Sequence, residues 1–166
     1  MNRRNRCRSS VRSCVNSGFT LVELLIVLVI LSVLAALAYP GYGDYVTRTR
    51  RMEGQVALMN AMQQQEHHRA LHHTYVAFSS AAPSAGLPWW SGNSAAGSAY
   101  ELEAQACPGG DLRDCVLISA RPGTANVDAR FADPECGTLT LASTGEQGAS
   151  GSAGNSAGNR AQRCWP

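Results

Sequence analysis

Twenty consecutive residues from Phe19 to Ala38, FTLVELLIVLVILSVLAALA, hold a single charged side chain, Glu23. As a helix rising about 1.5 Å per residue, such a run spans roughly 30 Å, the thickness of a bilayer's hydrocarbon core. Before it lies MNRRNRCRSSVRSCVNSG, with Arg3, Arg4, Arg6, Arg8 and Arg12 and no acid. Positive charge beside an apolar span stays cytoplasmic, so the remainder is expected to cross to the outer side. Ala36-Leu37-Ala38 before Tyr39 forms a passable A-x-A site, which makes an ordinary secretory signal the chief competitor. A signal's apolar region normally runs only about 7 to 15 residues and carries no acid near its start. A plain transmembrane anchor is the other bland reading, and it leaves Glu23 unexplained.

An acid inside an apolar helix costs about 2.5 to 3.5 kcal/mol unless something pairs with it. Gly18, with no side chain, suits a protease that takes the backbone in extended form at the membrane face. A cut after Gly18 frees the amine of Phe19. In a staggered stack of such helices, Glu23 of one copy then neutralises that amine on a neighbour, and cleavage licenses assembly.

The formal charge of +2 misleads here. Without the five leader arginines, nine arginines face twelve acids, a net of −3, and no lysine occurs anywhere. No dense arginine cluster follows Arg51, so the expectation is that no specific nucleic acid is a partner. Of six cysteines, Cys7 and Cys14 fall in the leader. The other four, Cys107, Cys115, Cys136 and Cys164, belong to the part expected outside, where thiols are commonly oxidised, and two disulfides follow.

The chain divides by pattern into a basic leader (1–18), an apolar helix (19–39), an amphipathic continuation (40–73) and a C-terminal β region (74–166). Pro40, Gly41 and Gly43 predict a helix kink near Pro40, because proline removes a backbone hydrogen bond and glycine weakens helix by about 1 kcal/mol. Tyr45, Met52, Val56 and Met59 share one helical face, which is expected to pack on the globular domain, with Arg48, Arg51, Gln55 and Gln64 among the polar positions. Residues 74–98 read as an irregular connection anchored by Trp89 and Trp90. Alternation over 100–106, then short runs at 116–120 and 138–142, predict an antiparallel sheet of three or four strands. The fold class is therefore α+β. Cys107 and Cys115 flank a Pro108-Gly109-Gly110 turn, where a hairpin brings them within bonding reach. Cys136 and Cys164 bracket the Gly/Ser/Ala stretch 145–159, read as a low-complexity loop that their bond would close.

The segment GFTLVELLIVLVILSVLAALAYP, from Gly18 to Pro40, resembles the type IV pilin family, whose precursors pair a short basic leader and glycine with FTLxELLIVLxIxxxLAAxAxP. CGTLTLASTGEQG from Cys136, with the final Cys164 and Trp165, is similar to the ending CGxLxLxxxGxxx…CW of PilE-like minor pilins; the long insert before Cys164 departs from that pattern. The resemblance implies a cut by prepilin peptidase after Gly18, N-methylation of Phe19, and a need for Glu23 in assembly. It also implies a long helix packed on an antiparallel sheet. The implied role is a minor subunit of a type IV pilus, supporting assembly, twitching motility and adhesion. Its implied partners are the peptidase, the inner membrane before assembly, and other pilin subunits through the N-terminal helix. Its location is the inner membrane and then the extracellular pilus.

Two other functions remain open. One is a pseudopilin of a type II secretion system, which the Cys164-Trp165 ending and the lack of acid after Glu146 disfavour. The other is a pilus-borne DNA-uptake receptor, for which Arg160 and Arg163 are thin support. Among His67, His68, His72 and His73, the pair His68 and His72 has the i, i+4 spacing of a metal site, but HHRALHH reads more simply as a polar helix end suited to the dipole. The four cysteines lack C-x-x-C spacing, so no metal and no cofactor is expected. Trp89 and Trp90 fit a loop anchor better than an adhesive patch. Asp111, Asp114, Asp128 and Asp133 read as turn residues, and no enzyme is expected.

Overall fold

The computed structural model describes residues 19–152 and 157–165, and for 37–41 and 157–160 only the backbone. The leader and Gly18 lie outside the described residues. The chain divides into two units, Met1–Gly41 and Tyr42–Pro166, with the boundary one residue beyond Pro40. Helix α1 is Leu21–His72.

In the first unit, α1 begins with a capping arrangement. The Glu23 N–H donates to Thr20 Oγ1 at 3.2 Å, so Thr20 caps the helix and Glu23 occupies its first turn. The described apolar side chains from Leu21 to Leu34 are all exposed. Among the described residues, no helix is long and apolar enough to cross a membrane, the described side chains of this stretch ending at Ala36.

The second unit contains a four-stranded antiparallel meander in the order β1-β2-β3-β4. Its strands are β1 (Tyr100–Ala106), β2 (Val116–Pro122), β3 (Leu139–Ala142) and β4 (Gln147–Ala149). Alternation fixes which residues enter the core: Tyr100, Leu102 and Ala104 on β1 and Val116, Ile118 and Ala120 on β2 are at most 2% exposed. Tyr100 faces Pro122 and Ala106 faces Val116, which brings Cys107 and Cys115 together just beyond the paired ends. That bond and Cys136–Cys164 are both formed, with Cα separations of 5.4 and 5.6 Å.

A bare edge on β1 would offer unpaired backbone groups to another chain. The irregular connection covers it, as Phe78 and Ala104 exchange both backbone bonds and the Leu102 N–H donates to Trp89 O. Trp89 and Trp90 are half-buried and meet edge to face at 5.1 Å, which fits their role as anchors. The stretch 145–159 is less of a loop than its composition suggests. It contains β4, and helix α2 (Ala157–Cys164) begins within it and contacts β4.

The helix presents the sheet with a face other than the one expected. Tyr45, Met52, Val56 and Met59 do share a face, but they are 46–69% exposed. The buried face carries Arg51, Gly54, Gln55, Leu58, Ala61 and Gln65. Gly54 is required there, because a Cβ would lie 2.8 Å from the Tyr100 ring. Polar side chains dominate this contact because the opposing surface offers carboxylates and unpaired backbone groups. Gln65 both donates to Val76 O (2.6 Å) and accepts from Val76 N–H (2.9 Å), while Gln55 donates to Cys164 O. Among the described residues, no buried side-chain nitrogen or oxygen lacks a hydrogen-bond partner.

Candidate functional site

Among the charged clusters of the described residues, two at α1 stand out, one largely closed by internal ion pairs and one open. The closed one joins α1 to the segment before β3. Arg51 forks onto Asp133, with Nε to Oδ2 and Nη2 to Oδ1 both at 2.8 Å, and Nη2 also reaches Glu135 Oε2 at 2.8 Å. The Tyr100 hydroxyl donates to Asp133 Oδ2 at 2.7 Å, and the Cys136 N–H donates to Oδ1. Burial works to raise the Asp133 carboxyl, but the hydrogen bonds from Arg51, Tyr100 and Cys136 outweigh it and hold the group below its ordinary range. The same contacts raise Arg51, chiefly through the Asp133 bond, and burial followed by the Asp133 bond pushes Tyr100 up. With the Asp133 side chain fully buried, this cluster fastens the helix, and its outer side, with Arg48 and Asp44, borders a depression of about 340 Å³. Asp133 reads as a turn residue in the sequence, and its bond from the Cys136 N–H is indeed a local turn bond. Its ion pair with Arg51, 82 residues away, carries no sequence signal.

The open site lies at the end of α1, against the loop stapled by Cys107–Cys115. Glu66, Arg69, Ala70, His73 and Arg113 line a depression of about 350 Å³. Arg69 donates to the Tyr75 hydroxyl at 2.8 Å and lies 4.9 Å from that ring's centre, while the hydroxyl donates to Glu66 at 2.7 Å. The arginine is thereby fixed in direction, and one Glu66 oxygen is engaged. Arg113 is exposed and forms no ion pair among the described residues. The loop carrying Arg113 is tied to the chain after α1 by the Tyr75 N–H, which donates to Leu112 O at 2.7 Å. Two cations from different elements thus face solvent together, an arrangement that can take phosphate oxygens. Sequence spacing hides it, since 44 positions separate Arg69 from Arg113.

The model of the type IV minor pilin ComP, DNA uptake sequence receptor, matches residues 40–140, more than half of the chain. The chain belongs to this family of type IV minor pilins. A prokaryotic N-terminal methylation motif matches residues 15–39 of the pilin, across Gly18, Phe19 and Glu23. No curated protein matches it.

The match refines one expectation and overturns another. The pilin stands nearer the DNA-uptake subfamily than the PilE-like one. The expectation of no specific nucleic-acid partner is corrected, because the matching family is named for reception of a DNA uptake sequence. Net charge misled there, because a mean over the chain says little about local surface. As a member of this family, the pilin is a structural subunit and not an enzyme.

The remaining site expectations divide by position. Gly18 lies outside the described residues. Phe19 is 80% exposed before the first helical turn, and Glu23 is exposed within it. Pro40 lies one residue before the end of the first unit, inside the span of α1. Cys107, Cys115, Cys136 and Cys164 pair as expected.

Proposed function

We propose that this minor pilin receives duplex DNA carrying a short uptake sequence, and does so at the depression formed by Arg69, His73 and Arg113. The observation that carries this reading is the family match over 40–140, a range that includes all three residues. Paired, solvent-facing arginines on rigid supports suit phosphate contacts, which fix register while base edges supply the sequence preference. With a net charge of −3 after loss of the leader arginines, the rest of the surface repels DNA and confines the contact to such a patch.

The N-terminal reading completes this role. Prepilin peptidase cuts after Gly18, Phe19 is methylated, and Glu23 neutralises the new amine of a neighbour. The apolar helix holds the chain in the inner membrane, with its C-terminus periplasmic, and later joins other subunits in the pilus. The methylation-motif match over 15–39 supports this sequence of events.

Selection from a randomised duplex library, followed by sequencing and fluorescence anisotropy on the enriched duplex, tests the DNA reading. An enriched motif is expected, with affinity falling as salt rises. Arg113→Ala should weaken binding across all duplexes and reduce the slope of log affinity against log salt by about 1. A library returned without enrichment, or a slope unchanged in Arg113→Ala, removes this face as the receptor.

A further inference from the structure

We propose that His68 and His72 form a binding site for a divalent transition-metal ion, each giving one imidazole nitrogen across a single turn of α1. Spacing alone, at i and i+4, places two side chains on one helical face. The structure adds that the two rings stand with centroids 4.3 Å apart, tilted by 33°. It also fixes which nitrogen is free. His68 Nδ1 lies 2.9 Å from the Thr74 carbonyl oxygen, and a carbonyl only accepts, so Nδ1 carries a proton and, in the neutral ring that binds a metal, Nε2 keeps its lone pair. A ring nitrogen bonded to a backbone carbonyl is the usual support of a metal-ligating histidine, since it sets both tautomer and ring orientation.

The Thr74 carbonyl is itself held in place. His73, with φ of 59°, ends α1 in the left-handed region and turns the chain back toward His68. Thr74 Oγ1 donates to Leu112 O at 3.2 Å, and Leu112 lies inside the Cys107–Cys115 loop. The disulfide-stapled loop therefore positions Thr74, and Thr74 positions His68. His72 is the last residue of α1 and is exposed, so its ring is free to complete the pair, while the half-buried His68 borders an open groove of about 490 Å³.

Among the described residues, no group of three or more His, Cys, Asp or Glu converges on a point. The pair thus fills two coordination positions and leaves the others to water. Two imidazoles and water suit Cu²⁺, Ni²⁺ and Zn²⁺ and do not suit Ca²⁺ or Mg²⁺, which take oxygen ligands.

The test is calorimetric titration of the full chain in detergent micelles with each of Cu²⁺, Ni²⁺, Zn²⁺ and Ca²⁺, with electron paramagnetic resonance of the Cu²⁺ complex. Expected are saturable binding of the three transition metals with Cu²⁺ tightest, no Ca²⁺ binding, and nitrogen hyperfine structure from two imidazoles. His72→Gln alters an exposed side chain and should weaken binding roughly tenfold or more, as should His68→Gln, while His67→Gln leaves it unchanged. Circular dichroism confirms that each variant keeps its helix. Wild-type binding that survives His72→Gln, or that falls equally in His67→Gln, overturns the site, as does the absence of any wild-type binding.

Discussion

At the scale of single residues, the helix-to-sheet contact depends most on Asp133. Its two oxygens take Arg51, the Tyr100 hydroxyl and a backbone N–H, leaving no face to water. Removing one partner of a buried pair typically costs 3–5 kcal/mol. Asp133→Asn retains some hydrogen bonding, and Arg51 keeps Glu135, so a loss of roughly 3 kcal/mol is expected in urea unfolding. The pH dependence has a definite sign. A carboxyl whose folded pKa lies below its unfolded value of about 3.9 contributes stability that is fully present above that value. The contribution is lost as pH falls through the folded pKa. The unfolding midpoint should therefore drop with acidification below about pH 4 in the native chain, and that segment of the profile should flatten in Asp133→Asn. An unchanged acid limb would mean that the carboxylate is not the fastening charge.

Among secondary-structure elements, α1 shows how much a periodic pattern can say. Spacing assigned Tyr45, Met52, Val56 and Met59 to one face, and they share it; nothing in the spacing states what covers that face. Burial of the other side follows from partners far along the chain, such as Val76 for Gln65 and Cys164 for Gln55. The strands were legible because alternation reports both pairing and inward direction, and the cysteine pairs because turns and sequence brackets limited their reach. Exposed apolar side chains on α1 contribute little to the folded monomer. Met52→Ser with Val56→Ser should shift unfolding by no more than about 0.5 kcal/mol per site, whereas Gln65→Ala orphans the N–H and carbonyl of Val76 and should cost about 2 kcal/mol. Denaturation curves of the two variants compare these directly, and a large loss in the double serine variant would contradict the observed burial. At the far end, Cys136→Ser opens a loop of 28 residues' separation that contains β4 and α2. Loop closure of that length is worth roughly 3.5 kcal/mol. Limited proteolysis should then cut within 145–160, and an unchanged digest would show that the Trp165 Nε1 bond to Gly148 O and the surrounding packing suffice without the disulfide.

Across the whole molecule, the two proposed tasks fall in different units. The residues assigned to processing and assembly, Gly18, Phe19 and Glu23, lie in Met1–Gly41, and the arginine-lined depression lies in Tyr42–Pro166. The exposed Glu23 carboxylate forms no hydrogen bond or ion pair among the described residues, so it is free to act between copies. The core of the second unit is built from its own residues, from Leu58 to Trp165. Changes in one unit should therefore leave the other's task intact in the purified protein while both block DNA uptake by cells. Glu23→Ala should keep full DNA affinity in anisotropy and yet be missing from sheared pili on immunoblots. Arg113→Ala should enter pili at the normal level and bind DNA weakly. Cells carrying either should take up less DNA, and expressing the two variants together should not restore uptake, because a receptor outside the fibre cannot stand in for a blunted one within it. Restored uptake in that mixture would mean that reception does not require incorporation, and would separate this chain's DNA role from its place in the filament.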